Sequence, residues 1–324
     1  MNNHPDLDQL KTSLEYEVSI NYKVSLFPYN HKERGYKIDA NAPNIWIVIH
    51  GFNSSPKSSR IEHFVNSLDE IIRSKQGEVI PHVNTENLYG ISPSDQILIM
   101  DWSTAAKSST LKGIPLNYIS VSLTVERVGH ALSEILKQAR VETKQINIIA
   151  HSLGSYVGAY AAKFLGGVNT MTLLDPAATY NPPEYKEPID ILENAPRFDE
   201  VSNYSIQYGS TSKLGTRDTL THESYWVDIP GINPNDEHGE ILRWFIDNAR
   251  RPIKSGIASK FNFFASEPQY SKIGLLKDDA DVDGWEGTFW AIYHGDGWFT
   301  SEPKIFPGKK QRTLVQQALV FIPT

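Results

Sequence analysis

The stretch that most constrains this chain is Gln145 to Pro176, QINIIAHSLGSYVGAYAAKFLGGVNTMTLLDP. Ile146 to Ala150 is a short, β-branched run, the composition of a strand buried on both faces in a parallel sheet. The pattern breaks at His151-Ser152-Leu153-Gly154. Ser155 to Leu165 is then helical in composition, with Gly158, Ala159, Ala161 and Ala162 small enough to let a helix lie close on a sheet. Asn169 to Leu174 is a second apolar run, so the whole reads as strand, tight turn, helix, strand. Strands buried in this way need helices on both faces, and the rest of the chain has to supply them.

It does so by alternation. Tyr16 to Ile20 and Lys23 to Phe27 alternate apolar and polar residues and predict a leading antiparallel pair. Asn44 to Ile49 is a buried-strand run, and Ser59 to Arg73 carries Ile61, Phe64, Val65, Leu68, Ile71 and Ile72 at helical spacing. Gln96 to Ser103 is another short strand, followed by Val121, Val125, Val128, Leu132, Ile135 and Ala139 on one stripe of a long helix. Beyond Pro176, residues Tyr180 to Phe198 read as a long loop, Val201 to Tyr208 as a strand and Gly239 to Ala249 as a helix. Strand alternating with helix predicts an α/β chain with a mainly parallel, doubly wound sheet.

Composition removes several classes of function. The chain has 324 residues, is 40% hydrophobic and carries a net charge of −7, which repels a phosphate backbone, so nucleic acid is not expected as a partner. It contains no cysteine, which rules out disulfides, thiolate catalysis and cysteine-ligated metal. The amino terminus, MNNHPDLDQLKTSLEYEV, lacks a basic region followed by an apolar run, and no apolar stretch reaches bilayer-spanning length. These features predict a soluble cytoplasmic protein with no transmembrane segment, with export by another route as the alternative.

The chemistry-bearing residues sit where strands end. Ser152 lies in A-x-S-x-G, the context of a serine on a strained strand-to-helix turn that exposes its hydroxyl, with Ala150 where glycine is usual. The plain alternative is a serine near a helix start, where it is a common N-cap. His50-Gly51-Phe52 directly follows a strand, where glycine lets backbone N–H donors swing toward a developing oxyanion. Asp175 stands at the carboxyl end of the strand after the serine, placed to orient a histidine, or else is simply the first residue of an Asp-Pro turn. The histidine that would complete the order Ser, Asp, His is His222 or His238. His222 enters a strand, whereas His238 lies in a loop just before the helix starting at Gly239, a better position from which to reach over a neighbouring strand end.

These residues carry a resemblance. The chain resembles the pancreatic-lipase-like lipases and esterases of the α/β-hydrolase fold through His50-Gly51-Phe52, Asp101-Trp102, His151-Ser152-Leu153-Gly154 and Leu174-Asp175-Pro176-Ala177, in that order. Leu214-Gly215 to Asp228 and Glu237-His238-Gly239-Glu240 are similar to later segments of the family, so the similarity spans roughly residues 15 to 250. The resemblance implies a carboxylic ester hydrolase acting on an acyl-ester small molecule or lipid. Ser152 would be its nucleophile, His238 its general base and acid, and Asp175 its orienting carboxylate. Backbone N–H groups of Phe52 and Leu153 would form the oxyanion hole, and no cofactor is implied. The alternatives are a lipase-fold binding protein without catalysis, or a thioesterase or amidase using the same three residues.

Three features depart from the family: Ala150 in the elbow, the absence of the cysteines that close the lid in secreted members, and a connection from Pro230 to Glu237 too short for a long amphipathic lid. The similarity implies a catalytic domain over residues 1–251. Residues 252–324 are rich in Phe, Trp and Tyr and read as a β-rich extension packed on it. Within that extension Asp279, Asp281 and Asp283 begin a D-x-D-x-D-G calcium loop, but position twelve is Trp290 rather than an acid. An acidic surface turn is the preferred reading, with calcium as the alternative.

Overall fold

The computed structural model describes residues 14–19, 22–29, 37–74, 91–92, 94–106, 118, 121–178, 194–210, 212, 214–216, 221–229, 232–250, 262–267, 288–295, 298–299 and 304–306. In chain order the strands are β1 (Leu14–Ser19), β2 (Tyr22–Pro28), β3 (Ile45–Ile49), β4 (Gln96–Asp101), β5 (Ile146–His151), β6 (Val168–Leu174), β7 (Ser202–Ser210) and β8 (Glu223–Asp228), followed by β9 (Thr288–Gly295), β10 (Trp298–Phe299) and β11 (Lys304–Phe306). The helices are α1 (Ser59–Ser74), the short α2 (Ser103–Ala106), α3 (Val125–Gln138), α4 (Gly154–Leu165) and α5 (Pro234–Arg250).

One sheet runs in the order β1-β2-β4-β3-β5-β6-β7-β8-β9-β10, with β11 pairing β9. From β4 to β8 in this order the strands run parallel to one another, β2 lies antiparallel to β4, and β1 and β2 form the expected antiparallel pair at one edge. At the other edge β9 pairs antiparallel with β8, so part of the carboxyl-terminal segment continues the same sheet. This is the α/β-hydrolase architecture.

Strand pleating divides the core. Ile45, Ile47 and Ile49 of β3 pack with α3 and α4, while Trp46 and Val48 face α1 and α5. Both faces are covered, which is why β3 is apolar without alternation. Two helix starts differ from expectation. The stripe beginning at Val121 is interrupted by a turn at Leu123-Thr124, where the Thr124 hydroxyl donates to the Val121 carbonyl at 2.7 Å, and the regular helix α3 begins at Val125. The second difference concerns His238. It lies within α5 rather than in a loop before it, because the helix begins at Pro234. Proline is well suited to a first helical position, where its missing N–H has no partner to lose, and Asp236 and Glu237 complement the positive end of the helix dipole.

The layer formed by α1 and α5 therefore holds a site residue. Phe64 of α1 is fully buried, its ring centroid 6.0 Å from that of Phe245 of α5. Phe64→Ala is expected to destabilise the fold by about 3–5 kcal/mol through lost burial and the cavity left behind. Urea unfolding would show this as a lower midpoint with little change in slope. Among the described residues no helix is long and apolar enough to cross a membrane.

Candidate active site

The carboxyl ends of β3, β5 and β6, neighbours in the sheet, bring the candidate residues together. Ser152 follows β5 with φ of 54°, a left-handed conformation that costs a residue with a Cβ and persists because its surroundings hold it. Its N–H donates to the Leu174 carbonyl at 3.1 Å, tying the turn to the next strand. Asp175 follows β6 in the same way, with φ of 48° and its N–H donating to the Tyr208 carbonyl at 2.7 Å. Ala150, where glycine is usual in the elbow, stays in the ladder opposite Ile49 and Leu173 and has ordinary strand geometry. Its methyl is buried among the α3 and α4 layer, so the departure is accommodated.

A continuous hydrogen-bonded chain links three side chains. Ser152 Oγ is 2.8 Å from His238 Nε2, and His238 Nδ1 is 2.7 Å from Asp175 Oδ2. A carboxylate can only accept, so Nδ1 carries the imidazole proton and Nε2 presents its lone pair to the serine hydroxyl. Asp175 is fully buried. Its charge is met by Ser210, whose N–H donates to Oδ1 at 2.8 Å and whose hydroxyl donates to Oδ2 at 2.7 Å. Such an arrangement can remove the serine proton and stabilise the imidazolium that results.

His222, the other histidine candidate, is engaged elsewhere. Its Nδ1 accepts the Ser205 N–H at 3.0 Å and lies 2.8 Å from the Ser205 hydroxyl.

Three supporting residues were not assigned roles from sequence. Ser210 is 35 positions from Asp175, and no local pattern points to it. Gly215 packs directly on the carboxylate: a Cβ there would fall 2.1 Å from Asp175 Oδ1. Gly215→Ala is therefore expected to push the carboxylate aside. A displacement of that kind lowers kcat by about 10²-fold, measurable on any soluble ester alongside an unchanged circular dichroism spectrum. His151 is the third. Its Nε2–H donates to the His238 carbonyl at 2.6 Å, and its ring lies 4.8 Å from that of His238. His151 is half-buried, and desolvation, followed by the neighbouring His238 ring, pushes its pKa down to about 3. His151 thus stays neutral and holds the helix turn that carries His238.

Of the two candidate oxyanion donors, Leu153 directly follows Ser152, and Phe52 follows Gly51, on which a Cβ would fall 2.7 Å from the Ser152 Cβ. Leu153 is buried at the start of α4, and the half-buried Phe52 packs edge-on to Tyr118 with centroids 5.6 Å apart. Among the described residues neither N–H donates to a backbone carbonyl. Asp279, Asp281 and Asp283 lie outside the described residues. Among those described, no group of three or more His, Cys, Asp or Glu is placed to hold a metal ion.

Fold and geometry together define an α/β-hydrolase-fold protein with a hydrogen-bonded serine, histidine and aspartate at the carboxyl edge of its sheet. The sequence profile of the family described as Lipase matches residues 36–235, and the chain belongs to that family. Among its relatives, Phospholipase A1 1 of Vespa affinis is 26% identical over 168 residues, which are 48% of this chain and 50% of the relative. Phospholipase A1 VesT1.02 of Vespa tropica is 24% identical, covering 63% of this chain and 64% of its own. The chain thus spans about half to two thirds of the length of these relatives. The solved structure of Est1E from Butyrivibrio proteoclasticus is similar with a TM-score of 0.39 and 13% identity, covering 72% of this chain and 95% of that one.

Proposed function

We propose that the protein is a carboxylic ester hydrolase working through an acyl-enzyme on Ser152. The observation that carries this reading is the unbroken relay from Ser152 Oγ through His238 to Asp175, at 2.8 and 2.7 Å. In the proposed reaction Ser152 Oγ attacks the ester carbonyl carbon while His238 Nε2 takes the hydroxyl proton. The oxyanion is met by the Phe52 and Leu153 N–H groups, with the positive end of α4 beneath it. Collapse expels the alcohol, which takes the proton from His238. Water then attacks the acyl carbon with His238 again as base, and the acid leaves Ser152 restored. A fluorophosphonate probe tests this reading: a covalent adduct mapping to Ser152, together with turnover of simple esters, supports it, and an unlabelled, inert protein overturns it.

The names of the relatives add phospholipid esters to the substrates to be tried. The connection before α5 supports a more accessible site than that of interfacial lipases. Strand β8 ends at Asp228 and α5 begins at Pro234, leaving only residues 229–233 between them, too few for a lid helix. Most of the loop from Tyr180 to Phe198 lies outside the described residues. The enzyme is therefore expected to act on dispersed esters of short to medium acyl length, with no jump in rate as substrate passes its solubility limit. Initial rates measured across that limit decide the point, and a steep rise confined to the emulsified phase would refute it.

A further inference from the structure

The turn after β3 contains a buried histidine that the relay does not use. His50 is 1% exposed, and its Nδ1 lies 3.0 Å from the carbonyl oxygen of Gly51. A carbonyl only accepts, so Nδ1 carries the proton and donates. On the other side of the ring Nε2 faces Asp101 Oδ1 at 3.9 Å, beyond hydrogen-bonding distance, and Oδ1 already accepts the Ser103 N–H at 2.9 Å. Nε2 has no hydrogen-bond partner among the described residues. The ring therefore spends its one hydrogen bond there on Gly51, leaving Nε2 unmet at a buried position.

The surroundings hold this ring still. Trp102 stacks on it with centroids 5.5 Å apart and planes 17° from parallel, and the Trp102 indole N–H donates to the His50 carbonyl at 2.8 Å.

What the bond to Gly51 controls follows from peptide geometry. The Gly51 carbonyl and the Phe52 N–H belong to one planar trans peptide and point in opposite directions. Fixing the oxygen therefore aims the N–H. The peptide lies against the nucleophile, since a Cβ on Gly51 would sit 2.7 Å from the Ser152 Cβ. Its far end is held as well: Asn53 adopts φ of 52°, and its N–H donates to the Ala106 carbonyl at 3.1 Å.

We infer that His50 is a positioning residue for the oxyanion hole, using its Nδ1–H to lock the Gly51–Phe52 peptide so that the Phe52 N–H points at the reacting carbonyl oxygen. This rests on the ester-hydrolase reading above. His50 touches no reacting atom; it acts through the peptide.

Two polar replacements separate this role from simple packing. In His50→Asn the side-chain amide places an N–H where Nδ1 was, whereas in His50→Gln the amide sits near the former Nε2, out of reach of Gly51. Each is compared with the unaltered protein for kcat and KM on a soluble ester, and for affinity toward a trifluoromethyl ketone, which adds to the serine and mimics the oxyanion. His50→Gln is expected to lower kcat by about 10²-fold, the scale of a lost oxyanion donor, with KM unchanged and ketone affinity reduced in proportion. His50→Asn should recover most of that loss. The inference is overturned if His50→Gln matches the unaltered protein, if both variants lose equally, or if the loss falls on KM or the melting temperature while ketone affinity holds. Failure of the underlying reading looks different: the unaltered protein itself would neither hydrolyse esters nor label at Ser152.

Discussion

Ser152→Ala is expected to lower ester hydrolysis by ~10⁵-fold, because it removes the one oxygen able to form the acyl-enzyme and leaves only oxyanion stabilisation and substrate binding. Stability should barely move. Alanine keeps the Cβ that already tolerates φ of 54°, and the backbone bond to Leu174 survives. The lost side-chain bond to His238 contributes about 1 kcal/mol at most, since water can replace it at this edge of the sheet. The measurement is a rate on a chromogenic ester together with thermal unfolding. A folded variant keeping more than about one per cent of the rate would refute Ser152 as nucleophile, because partial removal of a covalent step is not available to the chemistry.

The second large effect belongs to His238. His238→Ala should cost ~10⁴–10⁵-fold in kcat, close to the serine variant, because the relay acts as a unit and the two losses are not additive. The double variant should therefore be little worse than either single one. His222→Ala provides the contrast. Its ring serves Ser205 on the neighbouring strand, so its loss should appear mainly in stability, with activity falling by less than about tenfold. A folded, inactive His222→Ala beside a near-normal His238→Ala would reverse the assignment. Adding the His151 bond to the His238 carbonyl sharpens the test, since that bond is made to the backbone and persists in His238→Ala, keeping the helix turn in place.

Chain pattern carried much of this organisation. The apolar runs at β3 to β6 and the amphipathic α1 announce a buried parallel sheet, since period and length suffice when both faces are covered. Ser152 and Asp175 were legible for a related reason: each stands at the point where an apolar run stops, and in an open α/β sheet those points share one edge. The start of α5 is not legible in the same way, because Pro-Asn-Asp-Glu reads as loop chemistry. At a helix N-terminus the same residues are favourable, and only the packed context chooses between the two.

By itself, then, the sequence determined which segments become strands and helices and which side chains wait at their ends, because these follow from local periodicity and turn chemistry. It favoured His238 over His222 only by position along the chain, and could not say which ring meets Ser152 and Asp175. Tertiary structure decided that, along with the Ser210 hydroxyl and the bare Gly215 against Asp175, the neutral His151 beneath His238, and the His50 ring behind the Gly51 carbonyl. Apart from His50 and Gly51, these partners are far apart in the chain, and where the residues are adjacent it is the fold that turns one toward the other. A hydrogen bond needs placement to within a few tenths of an ångström, and only the packed core, where strands from distant segments meet in fixed register, supplies that precision.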